Sequence, residues 1–427
     1  MERQKSKSKA QREKEDRRRL RFWNFMAPQV ERYVKRRFDF IADDFDPSQI
    51  EGPVLVVINH SCVYDPLLIG SVFRNKPLTF VASEHILRMR PWGPLLDRYA
   101  SVIPHQKGAR GNRTALSAIK RIKRGESVFL APEGEQTWDG RPMPVMPYTG
   151  KLARASGATL VTYVIEGGYL SAPRWALSDR KGKIYGHPAG IYTPEMLSGM
   201  SDEEVDAVIA RDLAFDSIEW QKSNPEGPVS YRALKGGNAD GLERSVFTCP
   251  ECGSIGSLSA DGDHIGCSCG FRVRLSDTGF FEQPAPFETL TEWEALDKRT
   301  LGSVITDSLS LGTVFTDNNV RLIRINDKHS DEEAARGTLA LRCDDSGTLA
   351  LVIGDFSFDL RKITNMTMVL AGRIVFSGET GGESGYYELR SAKGSRTNLR
   401  KYVIARELIS GGTNNWIIQQ QITNSGV

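Results

Sequence analysis

The chain has 427 residues, 40% hydrophobic and 26% charged, which is more than one core organises and too apolar for a collagen-like or disordered polymer. Its longest apolar runs, such as Val54–Ile58, fall far short of the roughly 20 residues of a spanning helix. No apolar signal-like stretch follows the opening Met-Glu-Arg-Gln-Lys-Ser-Lys, so the expectation is a cytoplasmic chain. The net charge of +3 conceals an asymmetry: residues 1–40 carry 14 Lys/Arg against 6 Asp/Glu, or +8, and the remainder is −5.

In that basic arm Leu20, Trp23, Ala27, Val30, Val34 and Phe38 recur at helical spacing, and Pro28 is expected to divide the segment into two short helices. A basic helix with aromatics on one face suits an anionic lipid surface, where it lies in the interface. The alternative is an arm docked on its own domain, and nucleic acid is the weaker third choice. Residues 52–170 then alternate apolar runs with helical stretches, the rhythm of strands joined through helices. Strands are predicted at Val54–Asn59, Leu78–Ala82, Ser127–Ala131 and Thr159–Ile165. One helix through Thr114, Leu116, Ile119 and Ile122 stops at Gly125, and another starts at a Ser201-Asp-Glu-Glu204 capping box. Residues 223–243, rich in Gly, Asn and Pro, read as a linker.

Two stretches carry chemistry. In the first, a buried strand ends at Asn59, followed by His60 and, after a turn, by Asp65-Pro66, which reads as an N-cap with Pro at the first helical position. The turn can bring Asp65 onto one imidazole nitrogen of His60, leaving the other to take a proton from a hydroxyl. A capped loop with a surface histidine is the plainer alternative. In the second, Pro132-Glu133-Gly134 follows another strand, where a sharp turn can aim backbone N–H groups at an oxyanion or phosphate.

Asn59-His60-x4-Asp65, Pro132-Glu133-Gly134 and the strand-like Ala158–Ile165 resemble, in order and spacing, the glycerolphosphate and lysophosphatidate acyltransferases. The resemblance spans roughly residues 40–220. It implies an α/β acyltransferase domain over residues 41–222, a mixed sheet flanked by helices. By that resemblance His60 is the general base, Asp65 orients it, and Glu133 and Gly134 line the acceptor site. The donor is then a fatty acyl thioester of coenzyme A or of acyl carrier protein, and the acceptor a lysophospholipid, 1-acylglycerol-3-phosphate foremost, on the cytoplasmic face of a membrane; the alternatives are another lyso-lipid acceptor or a non-catalytic zinc-ribbon adaptor. Two departures stand out. No arginine aligns with the family's phosphate-binding position, so either Lys107, Arg110, Arg113 or Lys151 supplies that charge or the acceptor is not a simple phosphomonoester, and Glu135 follows Gly134 where it would repel a phosphate. Cys62 is expected to pack beside the turn rather than carry an acyl group.

Cys249-Pro-Glu-Cys252-Gly and Cys267-Ser-Cys269-Gly read as a zinc ribbon over residues 244–283, four thiolates closing a structural site. His264 is a possible substitute ligand. Asp261, Asp263 and Glu251 deny the ribbon the basic stripe of a nucleic-acid binder. Residues 284–427 alternate with Gly turns at Val320–Ile325, Thr338–Arg342, Thr348–Ile353, Arg373–Phe376 and Tyr386–Arg390, and close with a helical pattern from Leu399 to Ile409. This is a β-rich domain with a C-terminal helix, weakly similar to the pleckstrin-like barrels.

Overall fold

The computed structural model describes residues 9–88, 92–100, 102–105, 112–307, 312–326, 331–344, 347–392 and 395–410. A basic helix, Lys9–Phe38, leads into a mixed sheet built from β1 (Phe40–Ala42), β2 (Val54–Ile58), β3 (Leu78–Ser83), β4 (Ile103–His105), β5 (Ser127–Leu130) and β6 (Thr159–Glu166). After β7 (Arg180–Lys181), β8 (Ile184–Tyr192) completes it. The order is β1-β8-β6-β2-β5-β3-β4. β6, β2, β5, β3 and β4 run parallel, whereas β8 is antiparallel to β6. β2 is central and reads as five consecutive apolar residues because both its faces are covered. Val54, Val56 and Ile58 pack with Val34, Phe38 and Phe73, and Leu55 and Val57 with Ala118, Ile122 and Leu152.

The N-terminal helix remains whole through Pro28, against the expected division. Proline removes one helical hydrogen bond, but the helix is held on both sides of that gap. Before Pro28, Arg19 Nη1 donates to Thr79 Oγ1 (2.9 Å) and pairs with Glu126, and Trp23 stacks on Phe80 with its indole N–H on the Arg74 carbonyl. After it, Val34 and Phe38 are fully buried. The helix is docked on the sheet.

Residues 223–243, linker-like in composition, contain fully buried Tyr231 and Ala239 and the strand β9 (Arg232–Ala233), which pairs with β7. Next, β10 (Leu258–Asp261), β11 (His264–Cys267) and β12 (Arg272–Arg274) form a small antiparallel sheet beside the cysteines. The helix Leu290–Asp307 then leads to β13 (Thr313–Ile325), β14 (Asp331–Cys343), β15 (Leu349–Ile353), β16 (Phe356–Asp359), β17 (Thr364–Met368), β18 (Arg373–Thr380) and β19 (Glu383–Ser391). Their order, β16-β15-β14-β13-β19-β18-β17, joins a four-strand and a three-strand meander through β13 and β19. Phe358 of β16 meets Phe376 of β18 edge to face, and the helix Arg400–Ile409 follows.

One hydrophobic core runs from Trp138 and Trp175 through the cysteine region to β13–β19 and the last helix. A second junction is polar. Glu388, fully buried, pairs with Arg373 (3.2 Å) and Arg390 (2.8 Å), and Arg373 Nη1 donates to Nε2 of His85 (2.9 Å) in the helix that follows β3. Burial pulls His85 down to about 4, so it is neutral among these arginines. Arg88 bridges the same junction to Asp331 (2.8 Å).

Candidate active site and cysteine centre

β2 ends at Ile58, and the chain turns at once toward the helix Asp65–Val72, at the carboxyl edge of a largely parallel sheet where α/β proteins gather their ligands. Asn59 fixes the start of the turn: its Nδ2 donates to the Ile165 carbonyl (2.9 Å) and its Oδ1 accepts the Ile165 N–H (2.8 Å). His60 Nδ1 then lies 2.7 Å from Asp65 Oδ2. Asp65 is fully buried and is also the acceptor for Ser61 Oγ (2.8 Å), the Cys62 N–H (3.1 Å) and the Cys62 thiol (3.2 Å). Every partner of this carboxylate except His60 sits three or four residues before it. That corrects the expected N-cap: Tyr64 occupies the cap position without a side-chain bond, and Asp65 is the first helical residue. Its carboxylate is already engaged by the turn and cannot also cap the helix.

The imidazole of His60 keeps 26% of its surface open. With Nδ1 committed to Asp65, Nε2 is the ring nitrogen that a reactant could use. Cys62 is buried, and burial first and Asp65 second raise its thiol well above the usual range, which leaves it packing material rather than a nucleophile.

Glu133 and Gly134 join this turn from the end of β5. Glu133 is buried and its Oε2 accepts the His60 N–H (3.2 Å), so the carboxyl couples the two motifs through the backbone. Burial, and then Asp65, push its pKa up well above the usual carboxylate range, against the His60 N–H that pulls it down. Gly134 has φ +70°, a backbone conformation that favours glycine, and a Cβ there would lie 3.0 Å from the Met146 sulfur, so that side chain would have to give way. The Thr137 N–H donates to the His60 carbonyl (3.1 Å), closing loop against turn.

Glu135 does not stand loose. Arg174, nearly buried, donates Nη1 to Glu135 Oε1 (2.7 Å), and Thr367 Oγ1 of β17 donates to Oε2 (3.0 Å). The negative charge expected to repel an acceptor is matched by a buried cation. Of the expected phosphate partners, Arg113 is exposed on the helix Asn112–Ile122 and Lys151 on the helix Thr149–Ser156, whereas Lys107 and Arg110 lie outside the described residues. Asn59 and Arg174 are the contributors that spacing did not assign. Asn59 stood inside the first motif, and Arg174 has no local signal.

The four cysteines meet. Cys249 Sγ lies 3.6 Å from Cys269 Sγ, Cys252 Sγ lies 3.8 Å from Cys267 Sγ, and all four sulfurs fall within 4.8 Å of one another. A tetrahedron with Zn–S bonds of about 2.3 Å has sulfurs about 3.8 Å apart, so the donor set fits that ion. Gly253 (φ +71°) and Gly270 (φ +108°) turn the two knuckles. The shorter Cys267-Ser-Cys269 spacing is absorbed by the Gly270 N–H bond to the Cys267 carbonyl (3.1 Å). The Cys269 N–H and the Ser257 hydroxyl draw the Cys267 thiol down to about 6. His264 is not among the clustered ligands.

Along the N-terminal helix, Lys14, Arg17, Arg18 and Arg21 with Phe22 and Tyr99 line a groove of about 480 Å³, and Phe25 at its rim is 69% exposed. Among the described residues no helix is long and apolar enough to cross a membrane.

Residues 33–166 match the family model described as Acyltransferase, a span that contains both motifs; this chain therefore carries an acyltransferase domain. The solved structures similar to it include the crystal structure of the 1-acyl-sn-glycerophosphate (LPA) acyltransferase, PlsC, from Thermotoga maritima, with 21% identity over 47% of this chain and 82% of that one and a TM-score of 0.39. A search of curated proteins gave no match.

Proposed function

We propose that the protein transfers a fatty acyl group from a thioester of coenzyme A or acyl carrier protein to the hydroxyl of a lysophospholipid, with 1-acylglycerol-3-phosphate as first candidate. The carrying observation is the 2.7 Å His60–Asp65 pair, whose carboxylate is satisfied within the turn, placed inside a matched acyltransferase domain. His60 Nε2 takes the proton of the acceptor hydroxyl while the oxygen attacks the thioester carbonyl. Collapse of the tetrahedral adduct forms the ester and releases the thiol, which recovers the proton from His60. Glu133 and Gly134 shape the acceptor side, and Arg113, Lys107, Arg110 and Lys151 are the cations available to its phosphate. Cys249, Cys252, Cys267 and Cys269 hold one zinc, which supplies folding energy and no chemistry to the transfer.

The same reading places the protein peripherally on the cytoplasmic face of an anionic membrane, with the exposed cations of the N-terminal helix toward the lipid. Purified protein offered several lysophospholipids with acyl-CoA and acyl carrier protein thioesters should yield a diacyl product, and no product from any pair would end the reading. For the surface, reversing Lys14, Arg17 and Arg21 to Glu should reduce sedimentation with anionic vesicles, each cation contributing about 1 kcal/mol. Deleting the whole helix is not an equivalent test, because Val34 and Phe38 belong to the core.

A further inference from the structure

An imidazole held by one ring nitrogen is aimed only when the backbone that carries it is fixed as well. From the His60 N–H to the Cys62 N–H, each backbone polar group has a partner. The Ser61 N–H donates to the Asn59 carbonyl (3.1 Å) and the Cys62 N–H to Asp65 (3.1 Å). The others turn to the loop after β5. The His60 N–H donates to Glu133 Oε2 (3.2 Å), the His60 carbonyl accepts the Thr137 N–H (3.1 Å), and the Ser61 carbonyl accepts from Gln136 Nε2 (3.3 Å). The loop therefore grips the N–H and the C=O of the very residue that bears the base. Its far end is anchored in turn, because the guanidinium of Arg174 lies 4.3 Å from the ring centre of Trp138, and that of Arg400 lies 4.6 Å from the same ring.

We propose that residues 133–137 form a clamp that aims the base through its own backbone, with Glu133 and Gln136 as positioning residues that do not touch the acceptor. The proposal rests on the acyltransferase reading for its kinetic consequence but not for its structural one. Glu133 is buried, its Oε1 is closed to solvent, and its Oε2 is turned to the His60 N–H. An acceptor therefore does not reach Oε1 while the loop is closed. Burial also holds this carboxyl toward its neutral form, so the turn draws on a carbonyl-like acceptor rather than on a charge. Gln136 plays the converse part, supplying a donor that fixes the peptide after the base. Asp65 sets the ring, and the clamp sets the backbone from which the ring hangs. Between them they determine where Nε2 points. A displacement of about 1 Å in such a geometry can cost on the order of 10²-fold in rate.

The test uses the full-length chain with Glu133→Met, Glu133→Gln and Gln136→Met, assayed with 1-acylglycerol-3-phosphate and an acyl-CoA. Glu133→Met removes the acceptor oxygen and should lower kcat roughly 10²-fold. The acceptor KM should stay within about 3-fold of the parent value, the pattern of a group that serves the transition state and not binding. Glu133→Gln keeps a carbonyl oxygen for the His60 N–H and should recover all but a few-fold of that loss. Gln136→Met should lower kcat by a smaller factor, roughly 3- to 10-fold, again at little cost in KM. A raised acceptor KM with kcat held, or an equal loss in Glu133→Gln and Glu133→Met, would overturn the proposal.

Amide hydrogen exchange of residues 58–66 gives a second readout that needs no turnover. It should speed up in Glu133→Met and in the milder Gln136→Met, with Glu133→Gln closer to the parent, and unchanged exchange in the folded variants would overturn the proposal. Should Glu133→Met fail to fold, Gln136→Met carries both tests, and parental kcat with parental exchange in that variant overturns the clamp. Should the parent protein acylate nothing, the functional reading fails and exchange alone decides the positioning role.

Discussion

The two halves of the candidate site are held in opposite ways. The His60–Asp65 half is local: the Asp65 carboxylate finds all its partners between His60 and Cys62. The loop half is distant, because Glu135 is fixed by Arg174 and by Thr367, 232 positions further along. A local device can be written into one short motif and survives changes elsewhere. A distant device makes the loop depend on strands far outside the matched domain.

The sharpest way to break the comparison is His60→Ala. Turnover should fall roughly 10²–10⁴-fold with the melting temperature unchanged, because the imidazole is partly exposed and Asp65 retains Ser61 and Cys62. Asp65→Asn should lose activity and stability together, since the amide cannot accept from all three neighbours. Full activity in purified His60→Ala would remove the base. Next in size comes the cysteine centre. Elemental analysis should find one zinc per chain, and Cys252→Ser should lose it and lower the melting temperature. Retained zinc and stability in that variant would end the structural assignment.

A smaller effect concerns Asp297, which accepts the Phe247 and Thr248 N–H groups and is pushed up to about 7 by burial. Its folded pKa exceeds its unfolded value, near 4, so the folded state binds more protons between these limits. Stability should therefore decline as pH rises from about 4 through 7, and Asp297→Asn should flatten that slope in thermal melts. An identical slope in the variant would show that another group titrates. The least effect is expected at the capping box before the helix Asp202–Asp212, where Ser201 and Glu204 exchange hydrogen bonds with each other's backbone. Ser201→Ala should cost about 1 kcal/mol and leave the kinetics alone, as a local feature far from both halves of the site.

The same division explains what could be read from the sequence. The central strands were legible because parallel strands covered on both faces are unbroken apolar runs, and β2 spans Val54–Ile58 where Val54–Asn59 was expected. The His–Asp pair and the cysteine cluster were legible because their spacing is their geometry. β16 and β17 were missed: Phe356–Asp359 is four residues long, and Thr364–Met368 has a mostly polar or half-buried pattern with no clean alternation. Pro28 misled because local propensity ignores the anchors of Trp23 and Phe38. The burial of Tyr231 within a Gly- and Pro-rich stretch, the arginines around Glu388, and the Arg174 grip on Glu135 depend on partners tens to hundreds of residues away, which no periodicity reports.

The two guanidinium contacts on the Trp138 ring also have a bearing on how the chain comes into being. Translation is vectorial, at about 5–20 residues per second, so Arg400 emerges on the order of 10–40 s after β8 has completed the sheet around His60. During that interval a nascent chain has the His60–Asp65 turn but not the Arg400 contact on the Trp138 ring. Arg400 is thus among the last of the described residues to take its place against the loop.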